Sequence, residues 1–191
     1  LLIPLHGPQF RWLLAVFALS GISAAIPATL FLFFATDRLM LPEYAGLFLV
    51  IYFASAVIAL PLWTMLSKRL GEAQAWLISM VLSVIVFVWA WQLPVGALYS
   101  FVVICIFSGA ALGADLALPP ALLAGVIGSA GHSGQREGAY FGLWNWMTKM
   151  NLALAAGIAL PLLEWLGYTP GRPSDNGVQA LGITYALLPC A

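Results

Sequence analysis

Apolar residues run along this chain in blocks, and the charged residues fall between the blocks. Each block holds roughly 20 residues or more, the length a helix needs to cross hydrocarbon. The pattern predicts helices over 10–36, 44–67, 73–93, 96–128 and 138–163, with a last one, 178–191, incomplete. Prolines 119 and 120 are expected to kink the fourth. The runs are too long for strands. They also lack the period-two alternation that a transmembrane barrel requires. The expected fold class is therefore all-α: a polytopic membrane protein with five full transmembrane helices and a truncated sixth. Short connections place the segments in one bundle.

Composition agrees with this pattern. Hydrophobic residues make up 63% of the chain and charged residues 7%, against about a quarter charged in a soluble domain. Seven basic and seven acidic residues give a formal net charge of zero. There is no basic run, which argues against a nucleic-acid partner. Cys105 and Cys190 lie in separate apolar runs with no metal-ligand spacing around them. The N-terminal residues do not resemble a signal peptide. With apolar sequence at the other end, the chain reads as a fragment of a longer membrane protein.

The basic residues set an orientation. Arg11, Lys68, Arg69 and Arg136 fall on one side. Arg38 and Arg172 fall on the other, with Asp37, Glu43, Glu164 and Asp175. That bias puts the N-terminal end in the cytoplasm. Trp76, Trp89, Trp91, Trp165 and Tyr168 sit near segment ends, as an interfacial aromatic belt would. The six segments divide into three and three. Pro27 interrupts the first and Pro119-Pro120 the fourth, which occupy equivalent places in two halves of opposite topology. Matching interrupted helices point to a secondary transporter, although prolines are also frequent in membrane helices generally.

Few residues carry chemistry. Lys149 lies roughly 15 Å along the fifth helix at 1.5 Å per residue, near mid-bilayer. An ammonium there costs at least about 2.5–3.5 kcal/mol, so a cavity, a carboxylate or a substrate must offset it; the bland reading is a neutral, desolvated lysine or a structural ion pair. Asn145, one turn earlier, shares its face, and Trp144 and Thr148 form the adjacent row. An amide, a hydroxyl, an ammonium and an indole suit a polyhydroxylated ligand. Trp144 could equally be plain helix packing.

Asp115 is the other deep charge. It could pair with Lys149, hold a cation with freed backbone carbonyls, bind a ligand hydroxyl, or lie near the membrane edge. Ser20, Ser23, Thr29, Tyr52 and Ser55 could line a cavity or pack between helices, and Asn151 reads as interhelical glue. His132, in a glycine-rich loop, reads as solvated. No enzyme motif and no metal-site spacing occurs, so no enzyme and no cofactor is expected.

The stretch Leu116 to Gly171, with "ADLALPPALLA", "GQREGAYFGLWN", the lysine twelve residues after Glu137, and "LGYTPG", resembles the glycoside–pentoside–hexuronide:cation symporters. This is the melibiose-permease-like branch of the major facilitator superfamily. "PLWTMLSKRLGEAQAW" (61–76) resembles the family's loop between its eighth and ninth helices. The resemblance implies the C-terminal six-helix half, helices seven to twelve, of a transporter that works by alternating access in the plasma membrane. It implies a coupling cation, Na+ or H+, and a sugar or glycoside substrate.

It also implies roles. Lys149 would lie by the sugar and cation sites, Asn145, Trp144 and Thr148 would face the sugar, and Asp115 would stand near the level where helix ten lines the cavity. The cation-binding carboxylates would belong to the N-terminal half. Where the family has acids after helix ten, this chain has Gly125 and Gly128. That difference keeps two other readings open: a carrier of a lipid or drug, or a non-transporting sensor or assembly protein.

Overall fold

The computed structural model describes residues 3–171 and 174–190. Its main helices are α1 (Pro8–Phe33), α2 (Ala45–Leu70), α3 (Glu72–Trp91), α4 (Leu98–Ser129), α5 (Glu137–Trp165) and α6 (Asp175–Gly182). Among the described residues there is no strand. Five of the helices are long and apolar enough to cross a membrane. The all-α polytopic class is the observed one.

α1 runs through Pro27 and α4 runs through Pro119 and Pro120 as continuous helices with no unwound segment. Each proline removes one backbone hydrogen bond. In hydrocarbon, however, an unwound segment would expose several more polar groups with nothing to bond, so the helix continues. Gly71 alone separates α2 from α3, at φ 93°. That left-handed value lets the chain reverse in one residue, which is why the turn needs glycine.

Consecutive helices run in opposite directions. At one end of the bundle, Ser129 Oγ donates to Gln9 Oε1 at 3.1 Å, close to Arg11 in sequence. At the other, Gly96 N–H donates to the Leu39 carbonyl at 2.9 Å. The Asp37 end is closed by a latch. The carboxylate of Asp37 accepts from the Tyr168 hydroxyl and, at 3.2 Å, from the Gly171 N–H. This pins the loop after α5 to the end of α1. Tyr168 is thus buried and not part of an aromatic belt. Trp89, Trp91 and Trp165 are exposed near helix ends as a belt requires, with Trp165 83% exposed. Arg172 lies outside the described residues.

Burial, and next the hydrogen bond to Asp37, raises the Tyr168 phenol above its usual value. The neutral phenol is therefore the form the fold prefers. Its contribution is complete below the usual phenol range, about pH 10, and is lost as pH rises above it. Tyr168→Phe should destabilise the bundle by about 1 kcal/mol at neutral pH. The gap between wild type and variant should narrow in strong alkali. Thermal unfolding of both proteins at pH 7 and at high pH measures this; an unchanging gap contradicts the titration.

The helices pair in a pattern with internal symmetry. α2 packs on α4 and α5 packs on α1; α3 packs on α4, and the segment after α6 packs on α1. Exchanging the first three helices with the last three maps these contacts onto one another. Since α1 and α4 run in opposite directions, the two halves are inverted repeats.

Candidate functional site

Helix α5 presents two unlike faces. One packs on α1. There Tyr140 meets Phe10 edge to face at 4.9 Å, Trp144 stacks on Phe17 at 3.7 Å, and Asn151 Nδ2 donates to the Phe17 carbonyl at 3.4 Å. Asn151 is thus the interhelical residue expected, although its Oδ1 is buried with no partner. Lys149 stands two residues from Asn151, about 200° around the axis. It is exposed on the opposite face with Asn145; Thr148, also exposed, lies on the row between that face and the α1 contact. Among the described residues no acid lies in salt-bridge reach of it.

The structure therefore brings together three of the proposed ligand residues and separates two. Trp144 is 5% exposed and turned into the α1 contact. Thr148 Oγ1 donates to the Trp144 carbonyl at 3.0 Å, while the Trp144 indole, stacked on Phe17, is not part of the exposed surface. The reason is packing: an indole gains more from stacking on Phe17 than from an open face.

Asp115 belongs to a different place. It lies roughly 25 Å from the start of α4 and 21 Å from its end, near the middle of the helix. Its Oδ1 accepts a 2.7 Å hydrogen bond from Trp76 Nε1 on α3. Trp76 is buried, and the expectation that it serves an interfacial belt is corrected: a carboxylate held between helices needs a donor, and the indole N–H supplies it. His132, expected to be solvated, instead has Nδ1 at 2.9 Å from the Tyr140 hydroxyl.

Two cavities meet at Asp115. One, of about 160 Å³, lies between α1, α2, α3 and α4 and includes Pro27, Tyr52, Cys105 and Tyr185 in its wall. The other, of about 360 Å³, lies between α1, α3 and α4 and includes Ser20, Ser23 and Ser83. Ala24, Ser83, Phe87 and Asp115 line both. Lys149 lines neither, so the two deep charges do not share a cleft within this bundle.

One signal in the sequence explains why these helices approach so closely. "GISAAIP" (21–27) and "GADLALP" (113–119) share Gly, Ala, an aliphatic residue and Pro at the same spacing. Both glycines sit where helices touch. A Cβ at Gly21 would collide with the Asn151 side chain on α5, and one at Gly113 would meet the Ala56 carbonyl on α2 at 2.5 Å. Gly109, four residues before Gly113, faces the Tyr52 carbonyl even more tightly. This Gly-x-x-x-Gly spacing lets backbones pack in lipid. Trp63 Nε1 adds a 2.7 Å bond to the Ala110 carbonyl across the same contact. Ser23 and Asp115 occupy the same position in the two copies of the motif, and they face the same cleft.

Inverted three-helix repeats, membrane-length helices and a polar cleft at the crossing of the repeats define a polytopic transporter bundle. The chain belongs to the MFS/sugar transport protein family, whose match covers residues 5–191. It is a major facilitator transporter by that membership. No curated protein and no solved structure matches it.

Proposed function

We propose that the chain serves the cation-coupled transport of a sugar or glycoside by alternating access, as the C-terminal half of a melibiose-permease-like symporter in the plasma membrane. Its N-terminal end would be cytoplasmic. The observation that carries this reading is the exposed stripe of Asn145, Thr148 and Lys149 on a bilayer-spanning helix. Lipid cannot satisfy an amide, a hydroxyl and an ammonium at that depth. A second six-helix half facing α5 would turn the stripe into one wall of an aqueous cavity.

In that cavity the amide and hydroxyl would hydrogen-bond to sugar hydroxyls. Lys149 would stand opposite carboxylates of the other half, balancing their charge while the site is empty. Trp144, held against Phe17, would keep α5 in register and act as a positioning residue. Asp115 would reach the substrate only from behind, through the internal cleft.

The test is uptake by the full-length protein in proteoliposomes, with labelled glycosides and imposed sodium or proton gradients. Accumulation that collapses with the gradient is expected. Uptake of a lysophospholipid or a lipophilic drug, unaffected by competing sugars, would support the other carrier reading instead. Absence of transport of any solute would favour a sensor or assembly role.

A further inference from the structure

Asp115 carries a charge that no side chain of the described bundle answers. Its Oδ1 is taken by Trp76. Its other oxygen has no hydrogen bond or ion pair among the described residues. No lysine, arginine or histidine lines either cavity. Among the described residues the sealed side-chain atoms without a partner are Asn151 Oδ1 and Thr184 Oγ1. The second carboxylate oxygen is not one of them, so it keeps accessible surface. The open space beside it is the pair of cavities that Asp115 lines.

The smaller cavity has a wall of rings: Phe31, Tyr52, Phe53, Phe87 and Tyr185 line it. Tyr185 is 4% exposed, as buried as Tyr140 at 2% and Tyr168 at 5%. Those two hydroxyls are each hydrogen-bonded, as buried phenols usually are. The Tyr185 hydroxyl bonds to nothing among the described residues, and it too keeps accessible surface. Tyr52 is likewise unbonded. It lies within electrostatic reach of Asp115, and Tyr185 within reach of Tyr52. One carboxylate oxygen and two phenols thus stand free along a largely apolar wall.

Size and shape narrow the ligand. α4 lines this cavity from Ile104 to Asp115, about 16 Å at 1.5 Å per residue. Asp115, Ala24 and Ser83, which also line the larger cavity, mark one end. Phe31 and Tyr185 lie toward the other, where their neighbours are Phe101 and Phe34. The volume of about 160 Å³ is close to that of an engineered cavity, about 150 Å³, that takes up benzene. A hard metal cation wants a full shell of oxygens, which this wall does not offer. An ammonium group attached to a ring can use the carboxylate, the phenols and the aromatic faces together.

We propose that this cavity binds an organic ammonium carrying a single aromatic ring, with the ammonium at Asp115 and the ring between Phe31 and Tyr185. The ammonium donates to the free carboxylate oxygen and to the Tyr52 hydroxyl. Burial of the ring against the aromatic wall supplies the remaining affinity. The site is apart from the α5 stripe and does not rest on the sugar reading.

The probe is tritiated 2-phenylethylammonium, titrated onto the full-length protein in nanodiscs, with empty nanodiscs subtracted. Saturable binding is expected. 2-Phenylethanol keeps the ring without the charge, and ethylammonium keeps the charge without the ring. Each should displace the probe at least about tenfold more weakly than unlabelled probe does. Asp115→Asn should weaken binding at least about tenfold, because a charged hydrogen bond is lost. Asn keeps an acceptor for Trp76, so thermal unfolding should stay near that of the wild type. Ala28→Phe keeps the carboxylate and fills the other end. Ala28 is exposed and lines the cavity, so the added ring enters open space and not the packed core. Binding should fall to background while the unfolding midpoint holds.

Wild-type protein with no saturable binding overturns the proposal. So does displacement by 2-phenylethanol or ethylammonium as strong as by the probe, or unchanged affinity in Asp115→Asn or Ala28→Phe. Probe binding without sugar uptake leaves this site standing and removes the transport reading; sugar uptake without probe binding does the reverse.

Discussion

Gly109→Leu is expected to leave little folded protein. Its side chain would have to occupy the space held by the Tyr52 backbone carbonyl. Backbone cannot move aside as a flexible side chain can. α2 and α4 would be forced apart along their shared contact, breaking the 2.7 Å bond from Trp63 to Ala110 and opening the core around Trp63 and Ala114. Overpacking alone costs about 1–3 kcal/mol, occasionally more, and the lost interhelical bond adds roughly 0.6 kcal/mol. For a protein of ordinary stability that is a large share of the total. Gly113→Leu should behave the same way. Gly125→Ala and Gly142→Ala are the controls, since nothing lies within 4 Å of a Cβ at either. Fluorescence-detected gel filtration after heating gives the comparison. Monodisperse Gly109→Leu protein with a wild-type midpoint would refute the packing account.

Lys149→Ala should show the opposite combination: a sound bundle and no coupled transport. Lys149 is exposed and has no ion-pair partner among the described residues. Removing a mid-helix charge relieves at least about 2.5–3.5 kcal/mol of insertion cost, so the variant should insert and unfold no more readily than the wild type. Coupled accumulation in the full-length protein should nevertheless fall by at least about 100-fold, since a misplaced or missing positioning charge disrupts alternating access. Lys149→Arg keeps the charge but changes its shape and donor geometry, and should retain partial activity. Normal gradient-driven accumulation by Lys149→Ala would sink the role assigned to the stripe.

The two predictions separate two kinds of site in the same molecule. Gly109 and Gly113 act through the contact that holds α4 in place, and α4 carries Asp115. Lys149 acts on a face with no partner in this bundle. The inverted repeats make both possible. One copy of each repeat helix is used to bring Ser23 and Asp115 to a shared cleft, while the outward face of α5 stays free.

Much of this was legible along the chain. Helix number and extent follow from run length, because hydrocarbon leaves a backbone no alternative to bonding within its own segment. The depth of Lys149 and its stripe with Asn145 follow from helical rise and period. The proline positions marked α1 and α4 as equivalents. The aligned glycines of "GISAAIP" and "GADLALP", and the Gly-x-x-x-Gly spacing at 109–113, were also present in the sequence and extend that symmetry to the packing.

Other features were not legible. Trp144 and Asn145 are adjacent in sequence, and only the position of α1 decided that the indole would be buried on Phe17 while the amide stayed exposed. Trp76 looked interfacial by its place near a helix end, and only the approach of α3 to α4 set its N–H against Asp115. Periodicity assigns a residue to a face of its own helix, but not to a neighbour. The sequence by itself determined an all-helical membrane bundle with a lysine and an aspartate at depth. Tertiary structure decided that these two charges serve different spaces, because which helix lies against which face is settled by close packing between segments far apart in the chain.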